Sequence, residues 1–158
     1  MSRFRGPPVR PDARNGGSED GSMQRIALAT IVVPDYAEGI AFYVDRLDFA
    51  LIENTDLGGG RRWVRVAPSA AGTTGAAEGA TLLLAKADGP AQRARIGDQT
   101  GGRVAFFLET DDFARDHAAV LASGIVFTEE PRHEPYGTVA VWTDPFGNLW
   151  DLIEPKRP

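Results

Sequence analysis

Asp35-Tyr36-Ala37-Glu38-Gly39-Ile40-Ala41-Phe42-Tyr43-Val44-Asp45-Arg46-Leu47-Asp48-Phe49 is the stretch that decides the fold. Asp35 follows Pro34 and suits a helix N-cap, because its carboxylate can accept from the orphan amides of the first turn. Ile40, Phe42, Tyr43 and Leu47 supply a buried stripe, Asp48 takes the turn, and Phe49 opens a strand. Residues 111–125 repeat the pattern: Asp111 or Asp112 caps, Phe113, Ala118, Val120 and Leu121 face inward, and Ser123-Gly124 turns. The shift that carries Asp35 onto Asp111 also carries Phe49 onto Ile125.

Strands are expected around both copies. In the first half they fall at 25–33, 49–54, 61–67 and 81–87; in the second at 103–108, 125–129, 138–143 and 149–153. This is a duplicated β-α-β-β-β unit, and such a repeat overrides any element-by-element reading. The expected fold is α+β, with two paired units forming a curved mixed sheet around a concave cleft and helices on its other face. Residues 23–158 read as one domain, with unit one at 24–88 and unit two at 102–155. Residues 1–22, rich in Pro, Gly and Arg, read as a disordered tail, since they bury too little to offset their ordering entropy. The Ala/Gly/Thr-rich stretch 69–80 reads as a long loop.

Composition narrows the partners. A net charge of −5 with no basic stripe argues against nucleic acid. The absence of cysteine excludes disulfides, thiolate metal sites and a cysteine nucleophile. No apolar run approaches the roughly 20 residues of a membrane span. The first residues lack the apolar core of a secretory signal, so a cytoplasmic location is expected.

The run Asp144-Pro145-Phe146-Gly147-Asn148-Leu149-Trp150-Asp151-Leu152-Ile153-Glu154 reads as a tight turn feeding an apolar strand. Asp151 lies mid-strand, where a carboxylate is costly unless something pairs with it.

The two units, the Phe42-Tyr43 pair before Leu47-Asp48-Phe49 and the turn at 144–148 resemble the vicinal oxygen chelate superfamily. That group contains glyoxalase I, bleomycin-resistance proteins and extradiol dioxygenases. The resemblance covers about residues 24–155 and implies four metal-ligand positions, on the first and last strand of each unit. They fall on Leu28, Leu83, Arg103 and Asp151. Leu and Arg offer no donor to a metal, so no metal and no cofactor is expected. Arg103 and Asp151 would instead form an ion pair opposite a wall of Leu28 and Leu83. Arg103 would then either satisfy Asp151 or anchor an anionic or carbonyl-bearing ligand.

Trp63, Phe107 and Trp142 are candidates for aromatic walls, with at least one of them expected in the core. His117 is read as solvated on its helix. The loop at 129–137 carries Arg132, His133, Glu134 and Tyr136, of which His133, Glu134 and Tyr136 are candidate catalytic groups, His133 as a general base. No Ser-His-Asp arrangement stands out. The leading expectation is a metal-independent small-molecule-binding protein of the bleomycin-resistance kind, working as a homodimer, with ligand contacts from Arg103, Asp151, Leu28, Leu83, Trp63, Phe107 and Tyr136. The alternatives are a metal-dependent lyase, isomerase or dioxygenase with donors from His133, Glu129, Glu134 and Asp151, and an interaction domain with an inert cleft.

Overall fold

A computed structural model describes residues 24–69 and 79–158. The expected tail at 1–22 and most of the expected loop at 69–80 lie outside the described residues. The chain runs β1 (Leu28–Val33), α1 (Tyr36–Ile40), β2 (Ala50–Gly58), β3 (Arg61–Ala67), β4 (Thr81–Lys86), α2 (Gly89–Arg93), β5 (Val104–Glu109), α3 (Phe113–Ala122), β6 (Arg132–Glu134), β7 (Gly137–Thr143) and β8 (Leu149–Pro155). Helix α1 continues without a break into a π-helical segment, Ala41–Arg46.

The strands form two curved four-stranded sheets with the same order, β1-β4-β3-β2 and β5-β8-β7-β6. In each, the first strand lies parallel to the last and the remaining pairs are antiparallel. The repeat read from 35–49 and 111–125 is therefore a repeat of topology as well as of sequence.

Local chemistry explains the helix ends. The Asp35 side chain accepts from the Ala37 amide at 2.8 Å and caps α1. Asp112, not Asp111, caps α3, accepting from the Arg115 amide at 3.0 Å. Asp48 takes φ 62°, the left-handed turn that a short polar side chain tolerates.

Three expectations are corrected here. Ile125 to Glu129 makes no strand of either sheet; it holds a single bridge, Phe127 to Trp142. The fourth strand of unit two is β6, inside the segment read as a loop. Pro131 and Pro135 flank it rather than interrupt it, and a three-residue edge strand between prolines is sterically permitted. His117 is not solvated: it stacks between Phe113 at 5.4 Å and Phe127 at 4.2 Å. The inner stripe of α3 therefore runs Phe113, His117, Val120, and this rotation leaves Ala118 and Leu121 exposed.

The core lies between the units. Phe42 and Tyr43 from the π-helical segment and Phe49 meet Phe106, Trp142, Phe146 and Trp150 from unit two. Trp142 is fully buried, stacked on Trp150 with ring centroids 5.1 Å apart. Of the three candidate wall aromatics, it is the core member.

One carboxylate ties this interior together. Asp144 Oδ2 accepts from the Tyr43 hydroxyl at 2.5 Å, the Asn148 amide group at 2.9 Å and the Trp150 indole N–H at 3.1 Å. Its Oδ1 accepts from the Phe146 and Asn148 backbone amides at 3.0 and 2.9 Å. Burial pushes the Tyr43 hydroxyl well above its ordinary value, and the adjacent Asp144 pushes it further. The turn at 144–148 thus does more than reverse the chain: it clasps unit one.

Candidate functional site

Strand alternation sorts the side chains of unit two. On β8, Trp150 and Leu152 enter the core, so Asp151 points to the opposite face. The register places Asp151 between Phe107 on β5 and Val141 on β7. Phe107 is 66% exposed, whereas Asp151 is only 7% exposed. The Asp151 Oδ1 atom is removed from solvent and has no hydrogen-bond partner among the described residues. Burial raises its carboxyl above the ordinary 3.8; Arg132 opposes that shift and Glu129 adds to it.

Arg132 is the cation nearest in effect to Asp151, and it is already engaged. Its guanidinium meets Glu129 at 3.1 Å and Glu134 at 2.5 Å, which hold it in the charged form. Glu129 also accepts from the Val141 amide at 3.2 Å, fixing this cluster against β7 beside Asp151. On the same face, one step along β5 and β8, Glu109, Thr110, Asp111, Pro155 and Arg157 line a cavity of about 400 Å³.

The expected partner of Asp151 is elsewhere. Arg103 precedes β5, is exposed, and makes no ion pair among the described residues. Val104 already pairs with Leu149, which leaves Arg103 before the paired region, and a bulge between Val104 and Phe106 then sets Phe107 rather than Phe106 beside Asp151. The proposed Arg103–Asp151 pair does not form.

Unit one shows what replaces the acid there. Leu83 is the third residue of β4, as Asp151 is of β8, and it lies between Thr30 and Arg65. Arg65 pairs with Glu53 at 3.5 Å. Trp63 shares this face two residues along β3, and Leu28 shares it two residues along β1; both are half-buried. Leu28 and Leu83 thus stand together in unit one, and Asp151 and Phe107 together in unit two.

The three candidate catalytic groups are not brought together. His133 pairs in register with Thr138, on the opposite face of the sheet from Arg132, and its Nδ1 lies 3.2 Å from the Thr138 hydroxyl. Glu134 is occupied by Arg132. Tyr136 sits exposed in the two-residue turn between β6 and β7.

A metal does not fit the residues present. Leu28 and Leu83 have no donor atoms, Arg103 is a cation away from Asp151, and one carboxylate alone does not hold a catalytic ion. The substitute set of His133, Glu129, Glu134 and Asp151 fails as well, because His133 faces away and both glutamates hold Arg132. Among the described residues, no three His, Asp or Glu side chains are placed to share an ion. Also among the described residues, no helix is long and apolar enough to cross a membrane.

Sequence reasoning named Asp151, Phe107, Arg132, Glu129 and Glu134 but missed Val141 and Glu109. Alternation along 137–143 is the signal that could have found Val141, once Trp142 is assigned to the core.

Comparison with known proteins agrees with the fold. A Shewanella frigidimarina protein described as uncharacterized is 47% identical over 132 residues, covering 83% of this chain and 93% of that protein. The crystal structure of UcmS2 superposes with a TM-score of 0.68 at 25% identity, covering 84% of this chain and 98% of that one. TnmS3, described as an antibiotic binding protein from Streptomyces sp. CB03234, gives 0.64 at 26% identity, covering 87% and 100%. The model of the Glyoxalase/Bleomycin resistance protein/Dioxygenase superfamily matches residues 25–152, and the chain belongs to that superfamily.

Proposed function

We propose that this chain binds a small organic molecule on the face of unit two centred on Asp151 and Phe107, without a catalytic metal, and that it acts as a homodimer. One observation carries the reading: a buried carboxylate, one oxygen of which has no partner among the described residues, lies in register beside an exposed aromatic ring. Pockets for small molecules combine apolar surface with a few orienting polar groups, and this pairing has both. Likeness to TnmS3, an antibiotic binding protein, supports the same class of activity. The lyase, isomerase or dioxygenase alternative finds less support, because its candidate donors and bases point apart.

Dimerisation draws on the sheet edges. The outer edge of β1 is capped within the chain by Gln99, whose side chain accepts from the Val32 amide at 2.8 Å and donates to the Thr30 carbonyl at 3.0 Å. Among the described residues no strand lies beyond β5, so a second copy would cover that edge and leave the Phe107 ring to the ligand. Sedimentation should show twice the monomer mass. A monomer at tens of micromolar would refute the dimer.

Ligand binding is tested by titrating labelled protein with planar aromatic compounds and following backbone amide shifts. Perturbations should gather at Phe107, Val141 and Asp151. Phe107→Ser should weaken binding about tenfold, since burying an aromatic face is worth roughly 1.5 kcal/mol or more. Shifts confined to Trp63, Arg65 and Leu83 would place the site on unit one instead.

A further inference from the structure

We infer that the ligand of this face carries a protonated nitrogen on a flat apolar body, and that the Asp151 carboxylate is the group that receives the nitrogen. The inference rests on the binding reading above and names the chemistry of what binds.

Four observations lead to it. A buried carboxylate with an oxygen that has no donor among the described residues is unfavourable, and a ligand N–H⁺ against that carboxylate adds a charge-assisted bond. Among the described residues no cation pairs directly with Asp151: Arg103 lies before the strand, and Arg132, which acts on Asp151 only through its charge, has its hydrogen bonds taken by Glu129 and Glu134. The charges around the face are mostly acidic. Glu129, Glu134 and Asp151 surround Arg132, and Glu109 and Asp111 accompany Arg157 at the adjoining cavity, with Asp111 itself paired to Arg115. An anion entering here meets uncompensated carboxylates, whereas a cation is drawn in, as the chain's net charge of −5 also favours. Finally, Phe107 presents its ring beside the acid, and an aromatic face attracts a cation and stacks on a flat body. The anionic ligand expected from Arg103 gives way to a cationic one for this reason.

The test uses three probes of one shape on the full chain at pH 7: 2-(aminomethyl)naphthalene, 2-naphthalenemethanol and 2-naphthoate. Affinities come from calorimetry, and location comes from amide shifts at Phe107, Val141 and Asp151. The amine should bind at least about tenfold tighter than the alcohol, as a charge-assisted bond in place of a neutral one implies. The naphthoate should bind weakest. Asp151→Asn, checked for folding by thermal unfolding, should bring the amine within about threefold of the alcohol. Naphthoate binding as tightly as the amine, or an amine preference that survives Asp151→Asn, overturns the inference while the binding reading stands. The comparison of the three probes on the unaltered chain decides this even if the variant fails to fold. If none of the three binds or shifts those amides, the binding reading falls and takes the inference with it.

Discussion

Asp144 and Asp151 stand seven positions apart in one run of sequence, and both are buried, at 3% and 7% exposure. Asp144 collects five donors, while Asp151 Oδ1 has none. The first is a structural acid; the second carries an acceptor with no partner among the described residues. Its cost is measurable. Asp151→Leu imitates Leu83 of unit one and should stabilise the chain by about 1–3 kcal/mol at pH 7, the usual penalty of an unsatisfied buried group. The gain should depend on pH. Burial raises the folded carboxyl above 3.8, with Arg132 and Glu129 the charged groups facing it. Between 3.8 and the raised value the native chain holds more protons than the unfolded one, so wild-type stability falls as pH rises through that window. The advantage of the Leu variant is therefore largest above the window and shrinks as pH falls below it. Urea midpoints at several pH values check this; a variant less stable at pH 7 would mean that Asp151 is satisfied in the native state. Arg103→Ala, by contrast, should leave affinity for 2-(aminomethyl)naphthalene within about twofold, because a solvent-exposed charge away from the site contributes little. A larger loss would bring Arg103 back into the site.

Among the elements, the turn at 144–148 controls the most. Besides holding Asp144, it receives Gly97 at close range: a Cβ at Gly97 would lie 2.1 Å from the Phe146 carbonyl oxygen, and Gly97 has φ 73°. Gly97→Ala should cost about 2–4 kcal/mol, from left-handed backbone strain plus the clash. Gly101, at φ 65° with nothing near its missing Cβ, isolates the strain, and Gly101→Ala should cost about 1 kcal/mol. Equal losses in thermal or urea unfolding would show that the contact with Phe146 carries no energy. The elements also show where sequence stops informing. Asp35, Asp48, Asp112 and Gly124 announce their caps and turns through chemistry local to them. Strand β6 does not, because three exposed residues between prolines have no periodicity; they become a strand only because the free edge of β7 is there to pair with. The bulge in β5 is equally silent, since Val104-Ala105-Phe106 reads as an ordinary apolar strand.

At the scale of the molecule, two units share one aromatic interior, and the Tyr43 hydroxyl is the polar bond that crosses it to Asp144. Tyr43→Phe keeps the ring and removes that bond. It should cost about 1.5–3 kcal/mol, the range for a hydrogen bond to a charged group, while unfolding remains a single transition. A loss within error would mean that the remaining donors fully satisfy Asp144.

The sequence by itself determined the duplication, the cap at Asp35, the second cap to within Asp111 or Asp112, the left-handed turn at Asp48, the clasping turn as a turn, and the lack of donors at Leu28 and Leu83. Each of these follows from residue type and spacing within a few positions of the chain. Only the tertiary structure decided which residue stands beside Asp151. That depends on the register between β5 and β8, strands about 40 residues apart, where Val104 pairs with Leu149, so that Arg103 falls before the paired region, and one bulged residue then brings Phe107 rather than Phe106 to the acid. It also decided that Glu129 and Glu134 hold Arg132 and that His133 faces away, since a strand's two faces are told apart only by what its neighbours bury.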